Sequence, residues 1–282
     1  MDIRLAKYIK NLVYRFRDDD VTALASELSY SLLISFFPML IFIMTLIGFS
    51  SLNSSEVLSW LSRILPSSLF ELVKSTVIDV LETRSHNLLT LSFIFTIWIS
   101  STGFKAVIKG INRAYDEKER RSLIKLEIIA ILSTLALTLI IFLALALLVL
   151  GGVIGHNLGI YLGYPKEFKA AWDIFRYIII LSTMVFVFAA LYKFIPSRKT
   201  TWMEVIPGAI FATLGWVAAS MAFSFYVNNF GDYTNIYGSI GVIIILLTWL
   251  FLTSVIIIMG GEVNASLSFD HGGKIKPAGK KY

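Results

Sequence analysis

Three features of this 282-residue sequence predict an all-α, multi-spanning membrane protein. Apolar residues make up 56% of the chain and charged residues only 16%, where a soluble domain carries about a quarter charged. Mean hydropathy is +0.75. Six segments, roughly 28–49, 88–108, 126–150, 174–195, 204–228 and 238–263, each hold the ~20 mostly apolar residues a helix needs to cross a bilayer. Basic residues crowd into alternate connecting segments, so the positive-inside rule puts both termini in the cytoplasm. One membrane domain, 21–266, is expected between an N-terminal helix, 1–20, and a basic cytoplasmic tail, 267–282.

The N-terminal segment places Leu5, Tyr8, Ile9, Leu12 and Phe16 at helical spacing opposite Lys7, Lys10 and Arg17. That pattern predicts an amphipathic helix lying in the membrane interface. The run Asp18–Asp19–Asp20 reads as a solvated cap for the first span. Between the first two spans, Asn53 to Glu56 and Ser68 to Glu71 are capping-box patterns. Pro66 divides that segment into two short amphipathic helices on the outer face. Span 2 contains Ser100, Ser101 and Thr102, hydroxyls suited to bonding back to helix carbonyls. Span 3 is the most uniformly apolar run.

Pro38 in span 1 and Pro207 near the start of span 5 remove backbone hydrogen bonds at membrane depth, and so mark kinks or hinges. Span 5 also carries Gly208, Ala212, Gly215, Ala219 and Ala222 at alternating spacings of four and three. Such a stripe lets another helix pack closely.

Ionisable residues collect at the cytoplasmic ends. Glu27 and Tyr30 lie at the start of span 1, Lys105, Lys109 and Arg113 on the extension of span 2, and Glu262 and Asn264 at the end of span 6. These seven form a candidate polar pocket. A carboxylate ending span 6 opposes the helix dipole, so Lys105, Lys109 or Arg113 is the expected partner of Glu262. The residues leave two readings open: an ion pair tying spans 2 and 6 together, or a cavity facing the cytoplasm.

Catalysis is not expected. Cysteine is absent, which excludes disulfides, thiolate metal sites and a cysteine nucleophile. His86, His156 and His271 fall on different sides of the membrane, and no metalloprotease, nucleophile-elbow or phosphate-loop motif occurs. No metal or cofactor is anticipated. The basic segment 105–125 lacks the interleaved aromatics of a nucleic-acid platform. Membrane lipids are the expected partners.

With these residues in place, the chain resembles the YihY/BrkB family of bacterial inner-membrane proteins. The resemblance rests on "LSYSLLISFFPML", "WISSTGFKAVIKGINRAYDEKERR", and the run from "LYKFIPSRKTTWMEVIPGA" through "YGSIGVIIILLTWLF" to "GGEVNAS". It covers most of 20–266. Gly261 stands where the family usually has alanine before the glutamate. The resemblance implies six spans with both termini cytoplasmic. Family labels include ribonuclease BN and a virulence or serum-resistance factor, and the sequence offers no nuclease metal site. A transporter or flippase-like protein for a lipid or anionic amphiphile fits the family and the residues. A non-transporting scaffold for an envelope-assembly partner is the alternative.

Overall fold

The computed structural model describes residues 3–48, 86–137, 139–140, 165–230 and 239–271, with isolated helical positions between 58 and 78. The described residues form helices and no strand. The helices are α1 (Ile3–Asp18), α2 (Val21–Gly48), α3 (His86–Ala114), α4 (helical over 123–137), α5 (Pro165–Phe194), α6 (Trp202–Phe230) and α7 (Ser239–His271). Three of them, over Tyr177–Phe194, Trp202–Val227 and Ile243–Ser268, are long and apolar enough to cross a membrane. Helices α2 and α3 occupy the first two expected spans. The later part of the third, 141–150, and both capping boxes between 50 and 85 lie outside the described residues.

Helix α7 is the centre of the bundle, packing on α1, α2, α3 and α6, while α2 pairs with α3 and α5 with α6. Its faces divide by helical spacing. Ile258, Glu262 and Ser266, four residues apart, turn toward α1 and the start of α2. Gly260, Asn264 and Ser268, also four apart, turn toward α6 and the segment before it.

The core draws Leu28, Ile108, Ile111, Ala130, Phe188, Val205, Ala209 and Ala265 from six helices. Burial is deepest at the end of the bundle where α3 and α5 finish and α6 begins. There Trp202 stacks on Phe186 and meets Phe194 edge-on, with Lys193 over its ring. Aromatics with a cation at a helix end mark an apolar–polar boundary.

The turns at this end are built by aspartates. Asp20 and Asp116 adopt φ of 51° and 56°, a left-handed conformation that aspartate tolerates better than most residues. After α3, the Glu117 amide reaches the Asn112 carbonyl and the Asp116 amide reaches that of Arg113. This pair of bonds is the Schellman arrangement that satisfies the last carbonyls of a helix.

The small-residue stripe of α6 meets α7. Ala212 is fully buried, Gly215 lies against Ile256, and Ala219 packs on the core; Ala222 is exposed. At Gly208 the two backbones nearly touch. The amide beside Pro207 is tied sideways to α7, since Gly208 N–H donates to Asn264 Oδ1 at 2.6 Å. Opposite it, Gly260 faces both the Gly208 carbonyl and the hydroxyl of Tyr192, which donates to the Ile257 carbonyl.

A side chain fits at neither glycine. A Cβ on Gly208 would overlap the Gly260 carbonyl and the Asn264 amide, and one on Gly260 would overlap the Tyr192 hydroxyl. Gly208→Ala and Gly260→Ala should each destabilise the bundle by about 1–3 kcal/mol or more. Gly103→Ala, whose Cβ would meet Leu32 at an ordinary 3.4 Å, should be tolerated. Thermal unfolding of purified protein in detergent reads the difference.

Candidate functional site

The candidate site begins with α1, whose apolar residues suggest a helix resting on the membrane surface. A second stripe on the same helix decides its position. Asn11, Arg15 and Asp19 recur every fourth residue, and each meets a partner on the bundle. Asn11 Nδ2 donates to Ser266 Oγ at 3.0 Å, Arg15 pairs with Glu262 at 2.7 Å, and Asp19 pairs with Arg113 at 3.4 Å. As the numbers rise along α1 they fall along α7, so the two helices run antiparallel. Helix α1 is docked on α7 through this stripe. Asp19 is buried, so the expected solvated cap becomes an internal ion pair.

Arg15 and Glu262 are 1% and 0% exposed, and the same Arg15 nitrogen that meets Glu262 also donates to the Ala114 carbonyl at 3.2 Å. That carbonyl is at the C-terminus of α3, where the helix dipole favours a cation. The partner of Glu262 is thus Arg15, a residue outside the expected set, while Lys105, Lys109 and Arg113 pair with Glu127, Glu27 and Asp19. Helix α7 also runs on to His271, past the expected end of span 6. Glu262 sits inside a helix, clear of the unfavourable dipole end.

The other members of the expected pocket separate into pairs. Lys109 meets Glu27 at 2.6 Å with both side chains largely exposed, and Tyr30 is exposed. Lys105 meets Glu127 of α4 at 2.8 Å, and Ser101 donates both to Glu127 and to the Trp98 carbonyl. Ser101 is thus more than a hydroxyl bonded back to its own helix. Asn264 faces α6. Of the seven residues gathered by sequence position, six serve five separate contacts, and Tyr30 is exposed.

Around Glu262 lies a compact polar interior. Tyr115, Asn264 and Glu204 are close neighbours, with Arg198 over the Tyr115 ring at 6.0 Å. Asn264 Nδ2, the Tyr115 hydroxyl and Glu204 Oε2 are buried without completing a hydrogen bond among the described residues. Burial pushes the Tyr115 hydroxyl above its ordinary range. Arg198 anchors the assembly to α7 by donating to Ser268 Oγ at 2.9 Å.

Beside this interior, Asn112, Glu119, Arg121 and Ser197 join the segments following α3 and α5. Asn112 bonds both Glu119 and Ser197, Arg121 forks onto Glu119, and Arg121 also caps the Ile195 carbonyl. The hydrogen bonds from Arg121 hold the Glu119 carboxyl at about 2, well below its ordinary 4.5.

Removing one member of the Arg15–Glu262 pair leaves a buried charge uncompensated. Glu262→Ala and Arg15→Ala should each cost about 3–5 kcal/mol, and the double variant Arg15→Met/Glu262→Met far less than their sum. Chemical unfolding of the four proteins measures the coupling. Glu119 has a depressed folded-state value, so its contribution to stability is full above pH 4.5 and fades as the pH falls toward 2. The thermal midpoint of the wild type should fall more steeply across that window than that of Glu119→Gln.

The comparisons follow this geometry. The family model described as virulence factor BrkB matches residues 12–282, from within α1 to the C-terminus. The ribonuclease-like protein YfkH of Bacillus subtilis (strain 168) is 37% identical over 92% of this chain and 94% of its own. A UPF0761 membrane protein of Alteromonas mediterranea is 25% identical over 90% of this chain and 85% of its own. Another, of Rhodospirillum centenum, is 26% identical over 96% of this chain and 60% of its own. No solved structure matches the chain. With a family match spanning nearly its whole length and helices fit to cross a bilayer, the chain is a membrane protein of the BrkB family.

Proposed function

We propose that this chain crosses the bacterial inner membrane six times with both termini cytoplasmic, and that it carries a lipid or another anionic amphiphile across. The observation that carries the reading is a polar stripe on α3. Ser101, Lys105 and Lys109, each four residues from the next, pass from fully buried to half-buried to exposed toward the end of the helix. Lys105 lies nine residues before Ala114, about 13 Å inward at the helical rise. A cation at such depth is costly, and faces a bundle interior or a polar path. Glu127 and Glu27 stand beside the stripe and offer exchangeable partners, so that a charged head group can replace one at a time. Pro38 in the adjoining α2 and Pro207 in α6 supply positions where the helices can bend.

The ribonuclease-like name of the Bacillus relative gives RNA cleavage as a competing reading. Metal-dependent cleavage needs clustered ligands, and among the described residues no group of three His, Asp or Glu side chains is placed to hold a metal ion. The transport reading instead makes use of the charges that are clustered.

Proteoliposomes containing fluorescent phosphatidylglycerol in both leaflets test the proposal. Protein-dependent loss of leaflet protection is expected, slowed severalfold in Lys105→Met and Glu127→Gln at unchanged thermal stability. Folded wild-type protein that moves no lipid, and instead co-purifies with one stoichiometric partner, would replace the carrier by a scaffold. Normal movement in both variants would remove the stripe from the path.

A further inference from the structure

The segments joining α3 to α4 and α5 to α6 enclose a cleft of about 520 Å³ that the α3 stripe does not reach. Arg120, Arg121, Lys125, Arg198 and Lys199 line it, against one carboxylate, Glu117. Two of the five cations are already committed. Arg121 is held in the fork with Glu119, and Arg198 bonds Ser268 and lies over Tyr115. Among the described residues, Arg120, Lys125 and Lys199 enter no ion pair. A protein surface usually intersperses its charges, and a concave site with so little compensation concentrates a positive field.

The cleft is also built rather than incidental. Its two walls are tied by Asn112, which bridges Glu119 and Ser197 and so locks the two segments together. Ser122 caps α4, accepting from the Lys125 amide at 3.4 Å, so the positive end of that helix opens on the same space. The volume lies within the range of small-ligand sites. Leu123 and Ile124 follow directly and are 82% and 75% exposed. Two bare aliphatic side chains beside a cationic cleft are a combination suited to a bilayer surface.

We infer that this cleft is a binding site for a phosphate-bearing ligand, with Arg120, Lys125 and Lys199 as its direct contacts. Arginine forks match phosphate oxygens in pairs and lysines add point charges. Ser122 and Ser197 add hydroxyls at the rim. The chemistry suits the head group of an anionic phospholipid or a soluble phosphate compound. The site stands whether or not the helices move cargo, because its evidence is the cleft and not the stripe on α3.

The test uses the full chain in a neutral detergent and reads binding by the shift in thermal midpoint during titration. The probes are phosphatidylglycerol, phosphatidylcholine and inorganic pyrophosphate. Wild type should be stabilised in a saturable way by phosphatidylglycerol and not by phosphatidylcholine. The variant Lys125→Gln/Lys199→Gln should bind about tenfold or more weakly, as loss of charge-assisted contacts predicts. A charge-matched Lys10→Gln/Arg17→Gln variant should bind as wild type does. Stabilisation by phosphatidylglycerol alone identifies a lipid head-group site, and stabilisation by pyrophosphate as well identifies a general phosphate site. The inference is overturned if neither probe stabilises wild type, or if the two variants lose affinity equally, since the attraction would then be a property of net charge.

Discussion

Everything at the buried end of the bundle is arranged around one ion pair, Arg15 with Glu262. Two full charges removed from water must satisfy each other or be excluded from the core. Glu262 lies on the central helix, so its partner must be brought to it, and α1 is the element that does this. The consequences spread outward. Helix α1 is fixed antiparallel to α7, Asn11 falls beside Ser266, and Asp19 is carried inward to Arg113. The C-terminal carbonyl of α3 closes the arrangement from a third side. A surface helix with an apolar stripe becomes part of the bundle because of one arginine.

The second constraint is steric. Helices α6 and α7 cross at Gly208 and Gly260, where the backbones approach too closely for any side chain, and Asn264 spans the contact. Since Asn264 and Glu262 are two residues apart, they project to different sides of α7. One helix therefore receives α6 by shape and α1 by charge within a single turn.

How much of this the sequence disclosed follows from which quantities are local. Apolar length is local, so the helices α2, α3, α5, α6 and α7 coincide with expected spans. The glycine and alanine spacing of α6 is local too, and the structure sets Gly208 and Gly215 against α7 and buries Ala212. The partner of Glu262 is not local. Lys105, Lys109 and Arg113 are close to it in topology, but each points to a different neighbour, and only the rotation of α3 about its axis decides which. A sign was nonetheless present in the spacing of Asn11, Arg15 and Asp19 by fours, beside the apolar stripe that drew attention first. Glu127 was missed for a related reason. At the start of an apolar run it reads as a span boundary, although its carboxylate reaches back to Ser101 and Lys105. The cleft between the two joining segments depends on tertiary closure, and no periodicity announces it.

The separation of Arg15 from Glu262, 247 residues, also sets a timetable for biogenesis. At ordinary elongation speeds the ribosome needs roughly 10–50 s to travel from one codon to the other. Throughout that interval the Arg15 guanidinium cannot yet meet Glu262. The docking of α1 on α7 therefore comes after the helices between them have been made. Closure of the buried end is thereby reserved for α7, the last of the described helices to be made.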